Sequence, residues 1–245
     1  MSNPSNKTNW YPVIPVGQSI YEESTTQETM IGTEIVVGDR KFRYAAAATN
    51  LTAGNPLVSP ISTQVNKSTA AVAGVGTFEV AVYSTVNIAS NVFAEGYLTV
   101  MDSTGEGIAY KIRRHAALTA TTVSQKVVLY DALASGGNVT AVSKLSLVPN
   151  PYAAMWAGTE GNATAACFGI APIAVTSGNY FWAAVEGPVG VRCAGALTYG
   201  SKAAMGTTGG AIVVDATANA TCYIGTVLSV TGTALDTVLT WVGKL

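Results

Sequence analysis

The chain has 245 residues, of which only 11% are charged, with a formal net charge of −1 and one histidine. That length can bury the core of one large β domain or two smaller lobes. The near-neutral balance gives no reason to expect nucleic acid, whose binders carry a clustered basic face, and no apolar run approaches the ~18 residues of a membrane-spanning helix. About a third of the charges fall between Lys7 and Arg43, and the rest of the chain is mostly Ala, Thr, Val, Gly and Ser. An ordinary soluble surface carries roughly a quarter charged residues, so this composition suits a chain packed into a large assembly.

In chain order, residues 1–30 read as an extended N-terminal arm. They contain Pro4, Pro12 and Pro15, a polar stretch at Tyr21–Thr29, and no sustained apolar period. Such a segment buries too little by itself to offset the entropy of ordering it. It nevertheless carries Trp10, Tyr11, Ile14 and Tyr21, the expected anchors of an arm that becomes ordered by lying along a partner.

From Ile31 onward the signals are those of β structure. Val and Thr make up about a quarter of the chain, and β-branched side chains favour the pleated surface. Lys41-Phe42-Arg43-Tyr44 alternates polar and aromatic residues, and Phe78, Val80 and Val82 read as one face of a strand. Ile108, Tyr110 and Ile112 read as another, and Asp102–Gly107 before them reads as a hairpin loop. Lys111-Ile112-Arg113-Arg114-His115 is interrupted by Ile112 and reads as the polar face of a strand. Further strands are expected at Val127–Tyr130, Leu145–Val148, Tyr180–Val185, Val189–Cys193, Ile212–Val214 and Val227–Val230. Ala45–Ala48 and Ala153–Ala157 allow a single helical turn each, and no longer helix is expected. The fold expected is all-β, a sandwich or barrel body behind the arm. A break at Val148-Pro149-Asn150-Pro151 divides it into 31–148 and 149–245, as two β lobes or one continued domain.

The residues offer little chemistry. With His115 alone, any site needing two histidines is excluded, and there is no Gly-x-Ser-x-Gly elbow and no phosphate loop. Cys167, Cys193 and Cys222 are three, widely spaced and set among small or apolar neighbours, and are read as buried, unpaired thiols. Asp102 and Glu106 lack the frame of a calcium loop. No catalytic residue, metal site or cofactor is expected. Tyr180, Phe181 and Trp182, with Trp156, leave a carbohydrate-binding β module as an alternative. Met1–Tyr21 has no apolar core of a signal peptide, so synthesis in a bacterial cytoplasm is expected.

Several phrases carry a family likeness: Gly38–Ala45 leading into Leu51-Thr52-Ala53-Gly54-Asn55-Pro56-Leu57; Gly96–Val100 with Gly105-Glu106-Gly107; Leu147–Tyr152; and Val175–Trp182 followed by Glu186-Gly187-Pro188. Together they resemble the β-rich virion structural proteins of tailed bacteriophages, in particular head decoration (cement) proteins. The resemblance covers much of residues 31–195. It implies a β body on the outer face of an icosahedral capsid, bound to the major capsid protein. It also implies an arm gripping neighbours and a homo-oligomer, with a trimer favoured. A major capsid protein or a tail or neck component is the near alternative. The first of these is disfavoured because no apolar stretch supplies a long spine helix.

Overall fold

A computed structural model describes residues 17–59, 64–158, 166–206, 210–214, 223–230, 233 and 235–243. Among them every regular element is a strand: β1 (Glu34–Val37), β2 (Arg40–Ala46), β3 (Pro56–Val58), β4 (Gln64–Ser68), β5 (Glu79–Ser84), β6 (Tyr97–Asp102), β7 (Ala109–His115), β8 (Thr121–Leu129), β9 (Lys144–Val148), β10 (Trp156–Ala157), β11 (Cys167–Ile170), β12 (Tyr180–Arg192), β13 (Lys202–Met205), β14 (Ile212–Val214), β15 (Tyr223–Val227) and β16 (Thr237–Val242). The all-β expectation holds. The two alanine runs are not helical turns: Ala45 and Ala46 end β2, and Ala47 bridges Met155. A methyl side chain is compatible with either state, so the pairing partner decides.

The chain divides into two compact units, Ile61–Asn150 and the segments on either side of it, Met1–Pro60 and Pro151–Leu245. The sequence division into 31–148 and 149–245 therefore needs correction. Residues 31–60 belong with the C-terminal half, because β2 pairs with β12 and β3 pairs with β10 and β11. Pairings between distant segments leave no trace in local periodicity.

The Ile61–Asn150 unit is a six-stranded antiparallel sheet in the order β4-β9-β6-β7-β8-β5. The Thr69–Val82 bridge and the bond from Ala70 N–H to the Ala81 carbonyl (2.9 Å) return the path to its start, so the sheet curls into a near-closed barrel. Alternate residues fill it: Val80 and Val82, Leu98 and Val100, Tyr110 and Ile112, Val127 and Leu129, Leu145 and Leu147 are all buried. The hairpin loop falls where expected, with Ser103, Gly105 and Gly107 at positive φ. Phe78 differs from expectation. It precedes β5, and its ring is exposed while Val80 and Val82 face inward.

The other unit carries a ten-stranded sheet ordered β10-β3-β11-β12-β16-β15-β13-β14, with β1 and β2 attached through β12. β12 is its spine. It pairs with β2 as far as Glu186, then with β16 from Gly187 onward. Gly187 has φ +97°, and a Cβ there would strike the Asp39 carbonyl oxygen, so the bend requires glycine. The core is aromatic: Trp182, Tyr44, Phe42 and Phe181 are fully buried, and the Tyr44 and Trp182 rings meet edge to face at 4.9 Å.

Residues 17–30 depart from the arm expectation. Ile20 and Gln18 are buried. Gln18 accepts from the Tyr44 hydroxyl (2.9 Å), its side chain donates to the Tyr180 carbonyl (3.0 Å), and its carbonyl accepts from Trp182 Nε1 (3.2 Å). The Glu28 N–H donates to the Tyr44 hydroxyl (3.1 Å), and Ser24 bridges Tyr180. A polar segment without periodicity can still be ordered when buried polar groups of the body need it as a partner. Trp10, Tyr11 and Ile14 lie outside the described residues.

Candidate interaction surface

Along β16, residues alternate strictly: Val238, Thr240 and Val242 are buried, while Thr237, Leu239 and Trp241 point outward. Leu239 is 44% exposed and Trp241 45%. Opposite them on β12 stand Gly190 and Pro188, and Thr226 of β15 lies on the other side of Trp241. Directly paired residues project to the same side of a sheet, so Leu239 and Trp241 share a face floored by small side chains. Tyr223, also exposed, sits beside it, its hydroxyl 3.2 Å from Thr226 Oγ1.

This face continues into a cleft of about 210 Å³ whose walls include Tyr21, Phe42, Pro172, Pro188, Thr237 and Leu239. Tyr21 is the one sequence-named anchor among the described residues. Its ring is 57% exposed, and its hydroxyl accepts from Arg40 Nη1 at 2.9 Å. Arg40, the cleft's single charged wall residue, also lies 5.6 Å from the Phe42 ring centroid. Aromatic rings and an arginine, residue types enriched at protein contact surfaces, border this shallow recess. Leu239 and Trp241 were missed from sequence. Their signal was the alternation of Thr237–Val242 with apolar residues on both faces, which makes one of those faces an exposed apolar one.

The groups that might have supplied chemistry are otherwise engaged. The imidazole of His115 is buried and hydrogen-bonded to backbone on both nitrogens. Cys167 and Cys193 are buried thiols, donating to the carbonyls of Gly169 (3.4 Å) and Asp236 (3.2 Å), and Cys222 lies outside the described residues. Among the described residues, no three His, Cys, Asp or Glu side chains are placed to hold a metal ion, and no helix is long and apolar enough to cross a membrane. The aromatic platform considered from sequence is not formed. Trp182 and Phe181 are fully buried, and Trp156 packs against the core. Three successive aromatics on a strand with both faces covered supply core, not a ligand shelf.

No protein-family model, curated protein or solved structure matches this chain.

Proposed function

We propose that the chain is a structural component of a bacteriophage virion, a decoration protein that binds the outside of the capsid and reinforces it. The observation that carries the reading is the outward face of Leu239 and Trp241 with the adjoining Tyr21 cleft, on a chain with 11% charge. Two large side chains held half-exposed on a rigid strand are a standing cost in water, which a partner surface removes at about 25 cal/mol per Å² buried. Rigid strand placement also lowers the ordering cost of association. Repeated copies on a symmetric shell, together with sister subunits in a homo-oligomer such as a trimer, multiply a modest single-site affinity. Trp10, Tyr11 and Ile14 are proposed as further anchors toward the major capsid protein.

The test is occupancy of shells stripped of this protein. Wild-type chain should rebind in stoichiometric, symmetric copies. Leu239→Asp and Trp241→Asp should keep the β circular-dichroism signal and melting temperature, yet lower shell occupancy at least tenfold. Deleting residues 1–16 leaves Gln18 and Ile20 in place, and should weaken binding without unfolding the body. Full occupancy by both Asp variants would overturn the assignment of the face. Failure of wild-type protein to bind any shell, with binding to a glycan array instead, would overturn the function.

A further inference from the structure

The sole histidine closes a loop of the barrel unit, and its position there is the work of one extra residue. In β7, Tyr110 and Ile112 point inward, so strict alternation would turn Arg114 inward and His115 outward. The β7–β8 register slips between Ile112 and Arg114. Arg113 and Arg114 are both exposed as a result, and His115 is 4% exposed. A bulge changes which face each later side chain occupies.

The buried ring meets the loop between β5 and β6. The Phe93 backbone N–H donates to His115 Nε2 at 3.0 Å, so Nε2 carries no proton. Nδ1 therefore carries it, and donates to the Ala116 carbonyl at 2.7 Å. The neighbours thus select the neutral Nδ1–H tautomer. The Phe93 ring, fully buried, packs on the imidazole with centroids 5.6 Å apart. The Asn91 side chain accepts from the His115 N–H (3.0 Å), and the Asn91 N–H donates to the His115 carbonyl (3.1 Å). The loop bears strain: Asn91 and Glu95 both stand at φ +61° without being glycine. Beside the ring lies a cavity of about 340 Å³ whose charged walls are Glu79 of β5, Arg114 of β7 and Lys126 of β8. Glu79 is engaged by Lys126 at 2.6 Å, leaving Arg114 as the charged wall residue outside that pair. Glu95 is the charged residue of the loop itself.

We propose that His115 is an acid-released clasp: protonation of Nε2 sets an N–H against the Phe93 N–H, and residues 92–94, between the backbone bonds of Asn91 to His115 and Glu95 to Ile112, lift off the barrel, uncovering Phe93. Two donors face to face cannot bond, and the cavity beside the ring admits the water that would solvate the cation. Burial holds the imidazole's affinity for a proton below the ordinary histidine value. The clasp therefore stays shut near pH 7 and opens only on acidification below that value. The release does not depend on the partner that the Leu239–Trp241 face binds.

The experiment follows amide exchange in the full-length chain from pH 8 to pH 4.5, with each rate normalised to its intrinsic value. The Phe93 amide should lose at least tenfold in protection on acidification, while the Val127 and Leu129 amides of β8 keep theirs. In His115→Gln, whose side-chain oxygen can still accept from Phe93, protection at Phe93 should be independent of pH. Nitrogen-15 shifts of wild-type His115 should show the Nδ1–H tautomer, titrating in step with the loop, a reading that needs no variant to fold. A flat Phe93 profile, His115 titrating without loop release, or a His115→Gln variant with the wild-type pH dependence would each overturn the proposal.

Discussion

The two units show different routes to a β core. The barrel unit is one continuous stretch, Ile61–Asn150, in which β6 and β7 join through a hairpin and β7 pairs in turn with β8. Its core is mainly Val, Leu and Ile. The other unit is assembled from two stretches separated by that whole insertion, and Trp182 pairs with Tyr44 across it. Its core is built around stacked and edge-on aromatic rings. Aliphatic alternation suffices where every partner lies within one continuous stretch, with a turn setting the β6–β7 register while β4–β9 and β5–β8 close longer loops. Where partners are far apart, large rings and buried polar bonds supply the specificity that local connection does not.

The largest test of this contrast is truncation in each core. Trp182→Ala should cost about 3–5 kcal/mol and Leu98→Ala about 2–5 kcal/mol, since both side chains are fully buried. Hydrogen exchange should show the loss for Trp182→Ala at Tyr44 and Phe181, with Leu129 protected, and the reverse for Leu98→Ala. Equal loss in both units from either variant would mean that they melt as one, and that the contrast is geometric only. Tyr44→Phe is a smaller probe of the polar part of the aromatic core. It removes the donor to Gln18 and the acceptor for the Glu28 N–H. The expected cost is about 1–3 kcal/mol, seen by denaturant titration together with faster exchange at Glu28. An unchanged midpoint would show that residues 17–30 are held by Ile20 and the bonds to Tyr180, Trp182 and Thr176, without the Tyr44 hydroxyl.

The smallest expected effect is at Glu23. Its carboxylate accepts from the Thr176 N–H (2.6 Å) and hydroxyl (3.1 Å), which holds its pKa below the ordinary carboxylate value. A depressed folded-state pKa contributes stability above the ordinary value that is lost as pH falls through the folded one. Being exposed, the group contributes little. Glu23→Gln should lower stability slightly at pH 7, and the difference from wild type should vanish as pH falls through the folded-state value. A clear loss at pH 7 would assign the contact a larger part in holding residues 17–30.

Much of the barrel was legible in advance. Val80, Val82, Leu98, Tyr110, Ile112, Leu145 and Leu147 alternate with polar residues, and the Asp102–Gly107 loop joins two of their strands. Period-2 patterning is a local property, visible within one strand. The inward turn of His115 was not legible, because a bulge is a mismatch between two strands and not a property of either. Tyr21 could be singled out as an aromatic in a polar segment, whereas the cleft around it draws on chain near residues 40, 172, 188 and 239.

By itself, then, the composition determined that this chain is all-β, poor in charge and without a second histidine to build a catalytic pair. Only the tertiary structure decided that 31–60 pairs with the C-terminal half, that residues 17–30 pack on the body, and which side of β16 is left in water. The physical reason is the range of the forces involved. Side-chain volume, branching and charge act residue by residue and can be read in order. Register, bulges and the pairing of distant strands are settled by which backbone and ring partners remain when the whole core closes.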